Sequence, residues 1–188
     1  ASGATGSVWV ASVAHLLTAT RLAFAVPVAM ALARPAFLSA GLLAALLGVA
    51  IASDYFDGMV ARRRGTASSS GQVFDHATDW LFVTTGSAGA AMGGLVPFAL
   101  PVLITVAFGQ YVIDSYVVHR HKRLRMSAIG RWNGVFYFVP LVVLAGARLE
   151  VWPWLTAALT VAARLISYAL IVSTLISIVD RATAARRA

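Results

Sequence analysis

The chain has 188 residues, 60% of them hydrophobic, no cysteine and a formal net charge of +8, and its mean hydropathy is +0.81. A soluble domain is closer to half apolar, and the lack of cysteine excludes disulfides, zinc fingers and iron–sulfur clusters. In so apolar a chain the positive charge fits cytoplasmic loops facing anionic lipid headgroups and argues against a nucleic-acid partner.

Apolar stretches of about 20 residues read as membrane spans, and six can be drawn. The first covers about His15 to Ala33, after an interfacial lead-in at Val8–Val13, and no cleavable signal peptide stands out before it. The second starts near Phe37 and continues past Ala52 into a run of acids. The third covers Phe74 to Met92, the fourth Val96 to Val118, the fifth Gly134 to Ala147 and the sixth Trp154 to Val179. The expected fold is all-α: one integral membrane bundle of six transmembrane helices, a single domain over residues 1–188. Gly86 to Gly94, rich in Gly and Ala, suits close helix packing in lipid.

Basic connections alternate with charge-poor ones. Arg62 to Ser70, His119 to Arg125 and the tail with Arg181, Arg186 and Arg187 are basic. The others carry only Arg34, no charge near Gly93 and Gly94, and Arg148 with Glu150 beside Trp152 and Trp154. The positive-inside rule then puts both termini and the basic loops in the cytoplasm, and the tryptophans in the outer aromatic belt.

Four of the seven acids lie between Asp54 and Asp79. Charged groups at membrane depth are costly and persist where they bind something. Asp54, Asp57, Gly58 and Ala61 fall at i, i+3, i+4 and i+7, on one helix stripe. Gly71, Asp75 and Asp79 fall at i, i+4 and i+8, again one stripe. Two antiparallel helices joined by residues 63–70 bring the carboxylates together. Such a cluster needs cations between its members, and oxygen ligands select Mg²⁺, Mn²⁺ or Ca²⁺. Gly58, Ala61 and Gly71 leave room for a flat or bulky ligand, and Arg62 suits phosphate oxygens. Together these residues describe a site for a nucleotide that carries pyrophosphate.

The pattern Asp54-x-x-Asp57-Gly58-x-x-Ala61-Arg62, eight residues, Gly71-x-x-x-Asp75-x-x-x-Asp79 resembles the signature of the CDP-alcohol phosphotransferase family, with no departure over its 26 residues. The resemblance implies a phospholipid-synthesis enzyme that moves a substituted phosphate from a CDP-linked donor to an alcohol and releases CMP. It implies Mg²⁺ or Mn²⁺, as two ions, with Asp54, Asp57 and Asp75 as ligands. Asp79 would be a further ligand, the general base for the acceptor hydroxyl, or both, and makes a catalytic pair with Asp75. Gly58, Ala61 and Gly71 would pack against the cytidine, and Arg62 would contact the donor phosphates. An active site facing the cytoplasm, a homodimer and a cell or inner membrane location are implied with these.

Two further segments carry the resemblance. His15-Leu-Leu-Thr18-Ala-Thr-Arg21 is similar to an opening segment of bacterial members, usually with Asn where His15 stands. Arg21 is expected to face the bundle interior or its cytoplasmic mouth, or else to snorkel from the span's end. Gly130-Arg131-Trp132-Asn133 resembles the Gly-Lys/Arg-x-Lys/Asn element that opens span five in glycerol-phosphate-type members, making Arg131 the acceptor-side residue. Arg164, mid-way along span six, is expected either to contact a substrate phosphate or to pair with Asp114. His76 lies on a different helix face from Asp75 and Asp79, so any role at a metal is through a ligand.

The leading expectation is a CDP-lipid donor, ester or ether, with a small polar alcohol as acceptor, glycerol 3-phosphate first. Arg131, Arg164 and the basic mouth favour a phosphorylated acceptor. Inositol phosphate, inositol or serine as acceptor, and a CDP-aminoalcohol donor with diacylglycerol, are the alternatives. A divalent-cation transporter is a distant one, since the later spans offer only Asp114 at depth. A silent scaffold has no use for four costly charges.

Overall fold

The computed structural model describes residues 19–64, 69–113 and 128–184, with side chains outside 54–75, 128 and 184. The described residues are all helical or connecting, with no strand. Helix α1 is Ala19–Ala33. It stops because Pro35 bars its predecessor from helical geometry; Arg34 is extended (φ −135°, ψ 101°) and leads into a 3₁₀ turn at Pro35–Phe37. Helix α2, Ala40–Arg64, starts where Ser39 Oγ accepts from Leu42 N at 3.3 Å, an N-cap contact. It then runs unbroken through Asp54, Asp57, Gly58, Ala61 and Arg62, as the sequence pattern expects.

Helix α3, Ser69–Met92, ends in a Schellman turn. Gly94 takes the left-handed conformation (φ +71°), and Leu95 N and Gly94 N donate to the carbonyls of Ala90 and Ala91, each at 2.9 Å. That pairing closes the last turn. Helix α4 is Ala99–Ile113; the expected extension to Val118 lies outside the described residues. Helices α5 (Ala128–Phe136) and α6 (Phe138–Ala147) adjoin at Tyr137. Pro140 has no N–H for the Phe136 carbonyl, which accounts for the break. The helix therefore begins before Gly134, where span five was expected to start, and Arg131 and Asn133 are helical. Helix α7, Pro153–Ala184, opens with proline at its first position, where the missing N–H costs nothing.

The chain goes back and forth between two ends. At one end Arg148 donates to the carbonyls of Ala31 (2.6 Å), Pro35 (2.6 Å) and Leu38 (3.0 Å), which ties α6 to the α1–α2 turn. At the other end Gln110 Nε2 donates to the Ile178 carbonyl at 3.1 Å, which joins the last turns of α4 and α7. Helix α7 packs along α6, α4 and α5, α3 against α4 and α6, and α2 against α6.

Close approach of α3 to α1 depends on glycine. A Cβ on Gly89 would stand 2.1 Å from the Ala29 carbonyl oxygen, and one on Gly93 2.5 Å from that of Leu32. The expected tight packing of this Gly/Ala stretch is thus present as backbone-to-backbone contact. Gly89→Ala is expected to lower stability by about 1–3 kcal/mol or more, read as a drop in Tm in detergent. Gly48→Ala, where nothing lies within 4 Å, is the control and should not lower Tm.

Helix α7 is inverted relative to a soluble helix. Its buried stripe is Ala163, Ser167, Leu170, Thr174 and Ser177, while Val161, Leu165, Val172, Leu175, Ile176 and Val179 face outward. Small and hydroxyl side chains inside with branched aliphatics outside is packing suited to lipid. Two helical stretches are long and apolar enough to cross a membrane, Ile129–Ala147 (19 residues) and Pro153–Thr183 (31 residues). Shorter apolar helices are Ala19–Ala33, Ala40–Ser53 and Ala99–Ile113. The helical order follows the expected spans, but these lengths support two crossings by themselves, not six.

Candidate functional site

A cavity of 360 Å³ opens between α3, α4, α5 and the end of α7. Helix α3 contributes His76, Asp79, Trp80 and Val83, α4 contributes Ile104, Phe108, Gln110 and Tyr111, and α5 contributes Gly130, Arg131 and Asn133. Ser177 and Arg181 close it from α7. One part of the wall is apolar and aromatic, with Trp80 and Phe108 stacked at 4.7 Å and 9°. The other part carries guanidinium, amide and carboxylate groups.

Asp79 reaches this cavity with its side chain 31% exposed and is ion-paired through Oδ1 to Nη1 of Arg21, whose side chain is 0% exposed. A buried cation of this kind needs its anionic partner. Arg21 therefore faces the bundle interior, and snorkelling is set aside. Its partner lies 58 residues on in the chain, a pairing that local spacing does not reveal. The salt bridge orients the carboxylate at the cavity wall.

Arg131 also lines the cavity and is exposed. Arg181, which the sequence assigned to the basic tail, lines it too, with its guanidinium 5.2 Å from the Tyr111 ring centroid. Tyr111 and Asn133 are further lining residues that the sequence did not single out for a role. The available signal for Arg181 was periodic. It continues the buried Ala163–Ser177 stripe by one more turn of α7. His76 lines the same cavity as Asp79, three residues away.

Arg164 is elsewhere. Its Nη2 donates to the Gly94 carbonyl at 2.8 Å, at the α3–α4 turn, and it is not among the cavity-lining residues. In this structure its contact is to backbone. The alternative partner, Asp114, lies outside the described residues.

Asp54, Asp57, Gly58, Ala61 and Arg62 lie on α2, and Gly71 and Asp75 on α3, with their side chains outside the described residues. Among the described residues no group of three metal-ligating side chains occurs. What can be tested is the backbone. Both segments are continuous helix, so the spacing that aligns Asp54 with Asp57, and Asp75 with Asp79, holds in the fold. Oxygen-only donors at that spacing fit a hard divalent cation.

No curated protein and no solved structure matches the chain. The family model for CDP-alcohol phosphatidyltransferase matches residues 11–179. Because that stretch takes in the whole aspartate run and every cavity-lining residue except Arg181, the chain belongs to the CDP-alcohol phosphatidyltransferase family.

Proposed function

We infer that the chain is a transferase that moves a phosphatidyl group from a CDP-linked donor to an acceptor alcohol, as its family membership implies. We propose that the donor is a CDP-lipid, ester or ether linked, and that the acceptor is a small phosphorylated alcohol, glycerol 3-phosphate first. The observation that carries this reading is the shared cavity wall. It presents a carboxylate at Asp79 and two guanidinium groups at Arg131 and Arg181. Phosphate is the ligand that two fixed guanidinium forks favour.

In this reading Arg131 and Arg181 bind the acceptor's phosphate. Arg21 orients Asp79, whose carboxylate takes the proton of the acceptor hydroxyl. The acceptor oxygen bonds to the lipid-bearing phosphorus, the bond to CMP breaks, and CMP leaves with its phosphate. Asp54, Asp57 and Asp75 would hold Mg²⁺ or Mn²⁺, as two ions, and Arg62 the donor phosphates. Bound divalent cations there would offset the pyrophosphate charge. Gly58, Ala61 and Gly71 leave space for the cytidine. We further propose a homodimer with six spans per chain, both termini cytoplasmic, and the site facing the cytoplasm. The basic loops support that orientation.

Arg131→Ala tests the acceptor assignment. A charge-assisted contact to phosphate contributes about 1.5–3 kcal/mol, so the KM for glycerol 3-phosphate should rise by roughly one to two orders of magnitude. The KM for the CDP-lipid should barely move. Wild type and variant are compared with glycerol 3-phosphate, inositol phosphate, inositol and serine. Robust turnover of an uncharged alcohol that is indifferent to Arg131→Ala contradicts a phosphorylated acceptor.

A further inference from the structure

Asn133 is 4% exposed and lines the cavity. Its Oδ1 accepts from Ser173 Oγ at 2.7 Å. A carboxamide is planar, so holding its oxygen also fixes its nitrogen. That nitrogen, Nδ2, is buried and has no hydrogen-bond partner among the described residues.

The neighbouring hydroxyls do not absorb it. Thr174 Oγ1 donates to the Leu170 carbonyl at 2.6 Å. The 2.7 Å contact between Tyr137 Oη and Thr174 Oγ1 therefore has Tyr137 as donor. The Tyr137 oxygen is near the Asn133 amide, but a bond between them would occupy only one of two amide hydrogens. At least one amide hydrogen is left without an acceptor among the described residues. Trp80, which also lines the cavity, has a buried indole N–H that likewise lacks an acceptor among the described residues. Buried donors without acceptors are rare in native proteins, and each calls for a partner.

Resting on the proposed transferase reading, we propose that Asn133 is a specificity-determining residue. Its amide N–H donates to an oxygen of the acceptor alcohol next to the phosphate held by Arg131. Because Ser173 occupies the only carbonyl of the amide, the position serves oxygen acceptors and offers nothing to an ammonium group. Asp79, the one carboxylate among the described lining residues, already carries Arg21. The selected acceptors are oxygen-rich and ammonium-free. Those like serine are disfavoured.

Acceptor kinetics on purified protein in detergent test this, with glycerol 3-phosphate and serine as acceptors and CMP as readout. Asn133→Leu keeps the size and removes the donor. The KM for glycerol 3-phosphate should rise by about tenfold while that for the CDP-lipid stays level. Asn133→Asp replaces the donor by an acceptor, and should shift the kcat/KM ratio of the two acceptors toward serine by about tenfold or more. Ser173→Ala leaves Asn133 in place but frees it to turn, and should produce a smaller shift in the same direction. An acceptor KM unchanged in Asn133→Leu, or equal rises in both KM values, overturns the inference and leaves the transferase reading intact. If the Asn133 variants do not fold, unchanged selectivity in Ser173→Ala overturns it. No CMP release from wild type with any acceptor overturns both.

Discussion

Asp79→Asn should lower turnover by about 10²–10⁴-fold, the usual contribution of a positioned general base, while the KM for the CDP-lipid holds. Asparagine keeps the size and still accepts from Arg21, so the fold and the donor end stay in place. What is lost is the oxygen that takes the acceptor's proton. The salt bridge adds a second expectation. Arg21 acts through Asp79, so Arg21→Gln should cost turnover in wild type and little more in the Asp79→Asn background. Residues that work as a pair are non-additive in this way, whereas independent structural losses add. Steady-state kinetics on the two single variants and the double variant check it. If Asp79→Asn abolishes donor binding as fully as Asp75→Asn, ligation is its role and the base lies elsewhere.

Removing divalent metal should abolish turnover altogether. EDTA is expected to stop CMP release, and Mg²⁺ or Mn²⁺ to restore it. Asp54→Asn, Asp57→Asn and Asp75→Asn should each lose most activity, because residues that serve one site fail together. A Mg²⁺ titration separates this set from Asp79→Asn. The ligand variants should need more metal for half-maximal rate, whereas Asp79→Asn should fall in rate with little change in metal requirement. Full activity in any ligand variant at subsaturating metal contradicts the assignment.

The helices were legible where the sequence carries local chemistry. Pro35 and Pro153 mark a helix end and a helix start, and Gly89 and Gly93 mark the close contact of α1 and α3, because proline and glycine act through their own backbone. The continuation of α2 through the aspartate run followed from the spacing of Asp54, Asp57 and Ala61. Helix α5 begins before the expected start of span five, because Arg131 and Asn133 interrupt the apolar run there and mask its first turns. Asp79 and Arg131, which sit in motifs, both line the cavity.

The contacts that were not legible share a cause. Arg164 bonds to the carbonyl of Gly94, and a backbone acceptor leaves no trace in side-chain identity. Arg21 meets Asp79 across 58 residues, a contact set by how helices pack and not by local periodicity. Arg181 read as a tail charge because the sixth span was expected to end near Val179. With α7 running to Ala184, the same side chain turns back over Tyr111. Asn133 closes the Gly130–Asn133 element in sequence, but its unpaired amide exists only once Ser173 has taken its oxygen.

The most direct test of the central claim follows the phosphorus atom. CDP-diacylglycerol labelled at the lipid-bearing phosphate is given to purified protein with Mg²⁺ and glycerol 3-phosphate. The account predicts that label appears in a new phospholipid with one CMP released for each molecule formed, that neither product appears with EDTA, and that both form far more slowly with Asp79→Asn. Label that stays in the donor while the protein carries divalent cations into vesicles would contradict it.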